Sequence, residues 1–339
     1  MKRRIAALFL AVTLVFLLTA CAVNKPEAEN HNQSSDNTGE NDEGEDNTGD
    51  NVTTKDEAMA LYEAFLSGEG KVSVYADDFE VKAGNTYSIE DLVRSFIEDD
   101  DQTIIGNFEH TGTAYTYTTP DENGIPMLGI KLSYSMGNDT SWDTDRIILI
   151  KAVNGELKYV KQEANVYRSE AALYDNGILR SGGSDSAISY VARYETADEN
   201  GNLKFVCEAN ICLGLSATII PDFYLPTDAD LSLYPDYTMY LTDDETAAYT
   251  LIKLSFEPFD YNNTDQSYYN DYIRNKVQFA FMKNDRYVDA DDFFKPYYEG
   301  IGIKVLDEEG AEYLEAYLSD NGVWYDTVEA TPCVWTPLQ

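Results

Sequence analysis

Four clusters of acidic residues are the side chains most suited to chemistry in this sequence, because each brings several carboxylates together. They lie at 76–80, 98–101, 242–245 and 289–292. Carboxylate oxygens are ligands that Ca²⁺ prefers, and extracellular calcium sites work at ~0.1–1 mM. The sequence is therefore compatible with weak Ca²⁺ binding at one cluster, although most such runs are solvated faces or helix ends. We predict no other cofactor.

The tetrapeptide Asp-Glu-Asn-Gly occurs twice, at 121–124 and at 198–201. An EF-hand calcium loop also combines Asp, Asn and Gly, with a glutamate six residues after the glycine. Here the glycine comes too early in the pattern, and Ile130 stands where the first copy would need its glutamate. Asn-Gly between alternating apolar residues is instead typical of a β-hairpin. We predict two turns rather than two metal loops.

The segment 180–187 approaches the Gly-x-Ser-x-Gly elbow of hydrolases, with Gly182 and Ser184 in place. Ser186 stands where the second glycine belongs. The elbow also needs a histidine further along the chain, whereas His110 precedes it. The pattern therefore predicts a Gly/Ser-rich loop and no serine hydrolase.

Histidine and cysteine are too scarce to build the common metal sites. The two histidines are His31 and His110, and a His-rich zinc site needs at least two together. Outside the N-terminal segment the cysteines are Cys207, Cys212 and Cys333, an odd number that does not describe a disulfide framework. The first two lie on one predicted strand and could pair only across a turn. We predict buried thiols, with a bond from one of them to Cys333 as the alternative.

Tyrosine is abundant, with 26 residues, many of them in runs at 259–272 and 295–300. Its flat ring and hydroxyl group suit the binding of sugars or peptides. A competing interpretation is a core-facing helix stripe, because four apolar or aromatic residues keep helical spacing. They are Tyr268, Tyr269, Tyr272 and Ile273.

The N-terminus has the pattern of a secretory signal. Three basic residues, 2–4, precede an apolar run at 5–18 that is too short for a membrane span of about 20 residues. The run ends in Leu18-Thr-Ala20-Cys21, which resembles the lipobox of bacterial lipoproteins. That resemblance implies cleavage between Ala20 and Cys21 and a diacylglyceryl group on Cys21. Two acyl chains anchor a protein stably, so we predict attachment to the extracytoplasmic face of the cell membrane.

Residues 21–54 are predicted to be the lipidated cysteine followed by a disordered acidic tether. This segment carries one lysine against nine Asp and Glu, and low hydrophobicity with high charge is typical of disorder. The remaining residues, 55–339, carry 20 basic against 52 acidic side chains. Such a surface repels nucleic acid and anionic lipids. We therefore predict a globular domain that does not bind nucleic acid.

The domain shows signals for helices first and hairpins afterwards. Capping boxes predict helices at 54–67 and from Ser88. Asn-Gly turns between alternating apolar runs predict three hairpins, between 113 and 213. Further helices are predicted at 266–282 and 307–319. The predicted fold class is α+β: N-terminal helices, a mainly antiparallel sheet, and a mixed helix and loop C-terminal part. A sub-boundary near 220–230 and a single domain are both compatible with the sequence.

From about residue 55 to residue 215, the chain resembles uncharacterised surface lipoproteins of Gram-positive anaerobic bacteria, and four short motifs carry the resemblance. Two of them are the family's I-L-K-x-x-x-G-x-L, which stands as LIKAVNGEL at 149–157, and R-S-G-G-S at 180–184. Residues 60–69, ALYEAFLSGE, match an opening motif of that family, and 123–132, NGIPMLGIKL, match a second motif. The second departs from the family at Asn123 and Met127, where acids would stand, so a metal role for that loop does not carry over. The resemblance implies the cellular address and the fold but no activity.

Composition and motifs together favour binding over catalysis. The leading expectation is a surface domain that binds a glycan, a peptide or a partner protein. One alternative is a carboxylate-dependent hydrolase acting on glycans, because paired carboxylates can cleave glycosidic bonds. With 52 acids in the domain, the sequence singles out no pair. The other alternative is an accessory or structural subunit of an envelope complex.

Overall fold

The computed structural model describes eleven parts of the chain. They are 53–97, 108–136, 139–165, 168–184, 189–213, 225–233, 250–283, 286–287, 295–307, 309–311 and 331–338.

The helices of these parts are α1 (Lys55–Leu66), α2 (Ile89–Ile97), α3 (Gln266–Lys276) and α4 (Lys295–Gly300), and Leu231–Leu233 forms a 3₁₀ turn. The first strands are β1 (Val72–Ser73), β2 (Thr86–Tyr87), β3 (Glu109–Tyr117), β4 (Leu128–Met136), β5 (Asp139–Val153) and β6 (Glu156–Asn165). Then follow β7 (Ser169–Leu173), β8 (Leu179–Ser184), β9 (Ser189–Ala197) and β10 (Leu203–Leu213). The last are β11 (Thr250–Ser255), β12 (Val277–Lys283), β13 (Arg286–Tyr287), β14 (Lys304–Val305) and β15 (Thr336–Pro337).

The strands form two sheets. The first has the order β15-β3-β4-β5-β6-β1-β2, and the second has the order β13-β12-β11-β10-β9-β8-β7, with β14 added beside β12. Neighbours are antiparallel except for the short pairs β1–β6 and β12–β14. The three predicted hairpins, β3–β4, β5–β6 and β9–β10, are all confirmed.

The predicted α+β class is wrong, because the protein is mainly β. The C-terminal part is not a mixture of helix and loop but supplies β11 to β14 of the second sheet. The helix predicted at 266–282 ends at Lys276, and a strand begins at Val277. There Val277, Phe279 and Phe281 are buried at alternate positions, which is the period of a strand rather than a helix. The helix predicted at 307–319 lies mostly outside the described residues.

The N-terminal helices form as their capping residues predict. Thr54 Oγ1 accepts a hydrogen bond from the backbone N–H of Glu57, and the Glu57 carboxylate accepts one from the N–H of Thr54 at 2.8 Å. Ser88 and Asp91 repeat this reciprocal pair at the start of α2. Each pair satisfies N–H groups that a helix start leaves without partners.

Apolar residues of both sheets meet where the sheets pack together. Leu149 and Val160 come from the first sheet, and Leu173 and Leu179 from the second. Gly129 lies at this contact, where an added Cβ atom would stand 2.4 Å from Leu173 Cδ2. An alanine at this position would therefore force the side chains of Leu173 and Thr116 to move.

Helices cover the remaining apolar surfaces. On the opposite face of the first sheet, α1 and α2 enclose the largest core. Tyr62 fixes α1 to this sheet, because its hydroxyl donates to the carbonyl of Pro126 at 2.8 Å and accepts from the N–H of Ala152 at 2.9 Å. Just before α1, Thr53 Oγ1 accepts from the N–H of Gly155 at 2.9 Å. Helices α3 and α4 cover β11 and β12 in the second sheet.

Candidate functional site

The acidic cluster at 76–80 lies beside β6. Basic side chains of the protein, Arg146 and Lys161, form ion pairs with its carboxylates. Two carboxylate oxygens of Glu80 accept from the two terminal nitrogens of Arg146, at 2.6 and 2.7 Å. Both side chains are buried, with exposed fractions of 9% and 7%. The side-chain amide of Gln162 also donates to Glu80 at 3.0 Å. This carboxylate is therefore committed to a bidentate ion pair inside the fold.

Asp78 is committed in the same way. Its carboxylate accepts from the hydroxyl of Tyr159 and from the backbone N–H of Gln162, both at 2.8 Å. The ammonium of Lys161 lies 3.6 Å from the other carboxylate oxygen. Within the described residues, no group of three or more His, Cys, Asp or Glu side chains is placed to bind a metal ion. The other three acidic clusters lie outside those residues, so weak Ca²⁺ binding there stays a prediction.

A second set of charges faces the contact between the sheets. Lys161 pairs with Leu149 in the strand register, and Glu195 pairs with Leu179. Residues directly opposite each other in a sheet point to the same face. Because both leucines belong to the inter-sheet core, Lys161 and Glu195 must point toward it from opposite sheets.

Three further carboxylates and an arginine complete this set, which we call the inter-sheet charge cluster. Glu163 lies 3.6 Å from the ammonium of Lys161, and Arg193 holds Glu208 at 2.6 Å. Burial raises the pKa of Glu163 and of Glu195, against the opposing attraction of Lys161. Two carboxyl groups with raised pKa from facing sheets are the arrangement that acid–base chemistry uses. The cluster consists of Asp78, Lys161, Glu163, Arg193, Glu195 and Glu208.

The raised pKa values predict that mild acid stabilises the fold. A carboxyl group whose pKa is higher in the folded than in the unfolded protein binds its proton first in the folded protein. The free energy of unfolding should therefore rise as the pH falls from 7 toward 4.5. Each such group adds at most about 1.4 kcal/mol per pH unit. Urea unfolding at pH 7, 6 and 5 measures this slope.

The variant Glu195→Gln should flatten that slope, because it removes one of the two groups responsible. Glu199→Gln is the matched control, since Glu199 lies exposed in the turn that follows β9. An unchanged slope in Glu195→Gln would contradict the assignment. Below about pH 4 the sign reverses, because hydrogen bonds from Thr54 and Ser88 hold the pKa values of Glu57 and Asp91 below their ordinary range.

A groove of about 400 Å³ lies between α2 and the start of β3. We call it the α2–β3 groove, and its volume is within the usual range for ligand pockets. At its floor His110 Nε2 lies 3.0 Å from Thr113 Oγ1, and the His110 ring meets the edge of Tyr134. Its lining residues are Ile89, Glu90, Val93, Arg94, Ile97, His110, Thr113 and Leu338.

The other side of α2 carries a polar groove of about 540 Å³. It is bounded by the β2 segment 84–87 and by Asp91, Arg94 and Ser95. Arg94 lines both grooves and lies 3.9 Å from Asp91. Helix α2 therefore separates an apolar groove from a polar one, with a cation between them.

Several other predicted sites have structural roles. Asp121 and Asp198 each accept two backbone N–H bonds within their turns, so the Asp-Glu-Asn-Gly repeats are turns as predicted. The loop predicted at 180–187 is wrong for its first part, because 180–184 belong to β8 and pair with β9. Ser184 is therefore a strand residue.

The tyrosine runs belong only partly to the core, since Tyr261 is 68% exposed and Tyr268 and Tyr269 are half-buried. Tyr272 and Ile273 are buried, as the helix-stripe interpretation predicted, and the Tyr272 hydroxyl donates to the carbonyl of Glu257 at 2.8 Å. Tyr297 and Tyr298 are also buried. These side chains pack under the second sheet and are not available as a binding platform.

The predicted thiols are confirmed. Cys207, Cys212 and Cys333 are thiols that are not joined in disulfides, and the first two of them are buried. Burial raises the pKa of Cys207 to about 12 and that of Cys212 to about 11, so neither is a reactive thiolate at neutral pH. Ala20 and Cys21, the predicted cleavage and lipidation residues, lie outside the described residues.

No protein family, curated protein or solved structure matches this chain. The resemblance to Gram-positive surface lipoproteins therefore stays a prediction. Among the described residues no helix is long and apolar enough to cross a membrane.

Sequence reasoning missed the α2–β3 groove, although part of its signal is visible. Helix α2 has more apolar residues on one face than its packing on the first sheet buries. Leu92 and Phe96 are buried, whereas Ile97 stays 44% exposed. The other wall comes from β3, and its position beside α2 is set by long-range packing of Phe96 on Tyr134.

Proposed function

We propose that this protein is a lipid-anchored extracytoplasmic protein whose domain binds a ligand in the α2–β3 groove without catalysis. The observation that carries the proposal is the groove itself, an open cavity with apolar walls and a few polar groups. Such walls favour a ligand with apolar side chains over a glycan, because sugars need many hydrogen-bond partners.

The state of the buried carboxylates also supports binding over hydrolysis. Glu80 is paired with Arg146, and Glu208 with Arg193. Each of these carboxylates is held by an arginine inside the fold and is engaged there instead of with a substrate.

One specific observation favours a second candidate function, a carboxylate-dependent hydrolase. Glu163 and Glu195 have raised pKa values and come from facing sheets. A hydrolase of this kind would lose at least 100-fold in rate in Glu195→Gln. Release of reducing sugar from cell-wall glycan by the wild-type chain, and its loss in this variant, would support that function over ours.

The groove is tested with the fluorescent probe 1-anilinonaphthalene-8-sulfonate, which has an apolar aromatic body. We use the mature chain, residues 21–339, carrying Cys21→Ala, so that neither the apolar signal nor an acyl chain is present and no detergent is needed. Saturable binding at one site is expected, weakened about tenfold by Ile97→Ser because that change removes apolar contact. Leu231→Ser is the matched control, since Leu231 is 50% exposed and lies away from the groove. Equal binding by both variants would overturn the proposed site.

A further inference from the structure

Among the residues that the structure describes, β15 covers one part of the outer edge of β3. On its inner side β3 pairs with β4 from Glu109 to Tyr117. On its outer side β15 pairs with Ala114 and Tyr115, and the N–H of Leu338 donates to the carbonyl of Thr113 at 2.8 Å. Among the described residues, none pairs with the outer edge of 109–112.

This open edge runs beside the α2–β3 groove. His110 belongs to this edge and also lines the groove. Leu338, which follows the last residue of β15, lines the groove as well. A strand added along 109–112 would continue the line of β15, about 4.8 Å from β3. Every second side chain of that strand would point to the face of the sheet on which α2 lies. Ile89, Val93 and Ile97 would meet those side chains.

One local feature of the edge restricts which strand can pair with it. The register of β3 shifts between His110 and Gly112, and bulges of this kind protect strand edges from indiscriminate pairing. Gly112 has open space around it, since an added Cβ atom would meet nothing within 4 Å. The edge can therefore be approached, but only by a strand that fits its local bend.

Charge decides which chain can occupy the site. The protein has a formal net charge of −37, whereas the acidic and basic residues that line the groove, Glu90 and Arg94, balance each other. A second copy of this chain would be repelled, and so would its own N-terminal tether, which carries nine acids and one lysine. A basic partner would be attracted.

We propose that the groove binds an extended, basic peptide segment of another protein by strand addition to 109–112 of β3. Backbone hydrogen bonds to the edge would supply affinity, and alternating apolar side chains in the groove would supply specificity. This inference rests on the proposed function, because it names the ligand class of that groove.

The test uses a fluorescently labelled seven-residue peptide that alternates valine and lysine. Its binding to the mature chain, residues 21–339 with Cys21→Ala, is followed by anisotropy. We expect saturable binding that weakens with added salt, because exposed charges are screened. Methylation of the backbone nitrogens at alternate positions should weaken binding at least tenfold while keeping every side chain. Replacement of each lysine by glutamate should do the same.

Two variants of the protein test whether the peptide binds in the α2–β3 groove. Ile97→Ser should weaken binding of the valine–lysine peptide about tenfold, whereas Leu231→Ser should leave it unchanged. Hydrogen exchange should slow in 109–113 when the peptide is bound. Equal binding of the methylated and unmethylated peptides would overturn strand addition.

The outcomes separate this inference from the function on which it rests. If Ile97→Ser weakens binding of the anilinonaphthalene probe but the peptide does not bind, the groove is a ligand site and the peptide is the wrong ligand class. If neither ligand responds to Ile97→Ser, both proposals fall. If the glutamate peptide binds as well as the lysine peptide, the basic partner is overturned.

Discussion

The variant Arg146→Met is expected to lower the free energy of unfolding by about 3–5 kcal/mol, because it leaves the Glu80 carboxylate buried without its cation. The Arg146 guanidinium also lies 3.8 Å from the centre of the Phe96 ring, a contact that methionine only partly replaces. A domain of this kind has a total stability of about 5–15 kcal/mol. The loss is measured by urea unfolding at pH 7.

Two comparisons isolate the buried ion pair. Lys276→Met removes an equally short ion pair, to Glu257 at 2.5 Å, whose side chains are 43% and 57% exposed. It should cost less than about 1 kcal/mol, because water screens exposed pairs. The double variant Arg146→Met with Glu80→Leu should be more stable than Arg146→Met alone, since no charge is left unpaired. Equal losses at Arg146 and Lys276 would refute the explanation.

The variant Cys21→Ala is expected to move nearly all of the protein from the membrane fraction to the medium. Each buried CH₂ of an acyl chain contributes about 0.8 kcal/mol to anchoring, and removal of the cysteine removes both chains. Residues 22–54 offer almost no apolar surface to replace them, and the acidic domain is repelled by anionic lipids. Cell fractionation and incorporation of radiolabelled palmitate measure the two effects.

Cys333→Ala is the control, because Cys333 is a free and only partly buried thiol within the domain. It should keep both the membrane attachment and the label. Palmitate incorporation that persists unchanged in Cys21→Ala would refute lipidation at Cys21.

The local elements of this fold could be predicted from the sequence because their signals are local. Asn154-Gly155 predicts the turn between β5 and β6, and Thr54 with Glu57 predicts the start of α1. The end of α3 could not be predicted in this way. The apolar period changes from that of a helix to that of a strand at Val277, with no glycine or proline to mark the change.

The candidate site could be predicted only in part, since its walls come from distant segments. The acids at 76–80 were visible, but their cation Arg146 lies 66 residues from Glu80 in sequence. A cluster of acids alone predicts a cation ligand as readily as an ion pair. The wall of the groove on α2 was visible as an apolar stripe, whereas β3 reaches it only through the packing of the sheet.

The anchorage of Thr53 and Tyr62 has a mechanical consequence. If the predicted tether carries a load, the load would enter the domain at Thr53, whose hydroxyl accepts a hydrogen bond from the N–H of Gly155 in the turn between β5 and β6. The load then reaches Tyr62, which joins α1 to Pro126 and Ala152 within the first sheet. Resistance to forced unfolding is set by the rate at which such attachments rupture. A surface protein under shear would thus be held at the centre of its first sheet, with α1 acting as the clamp.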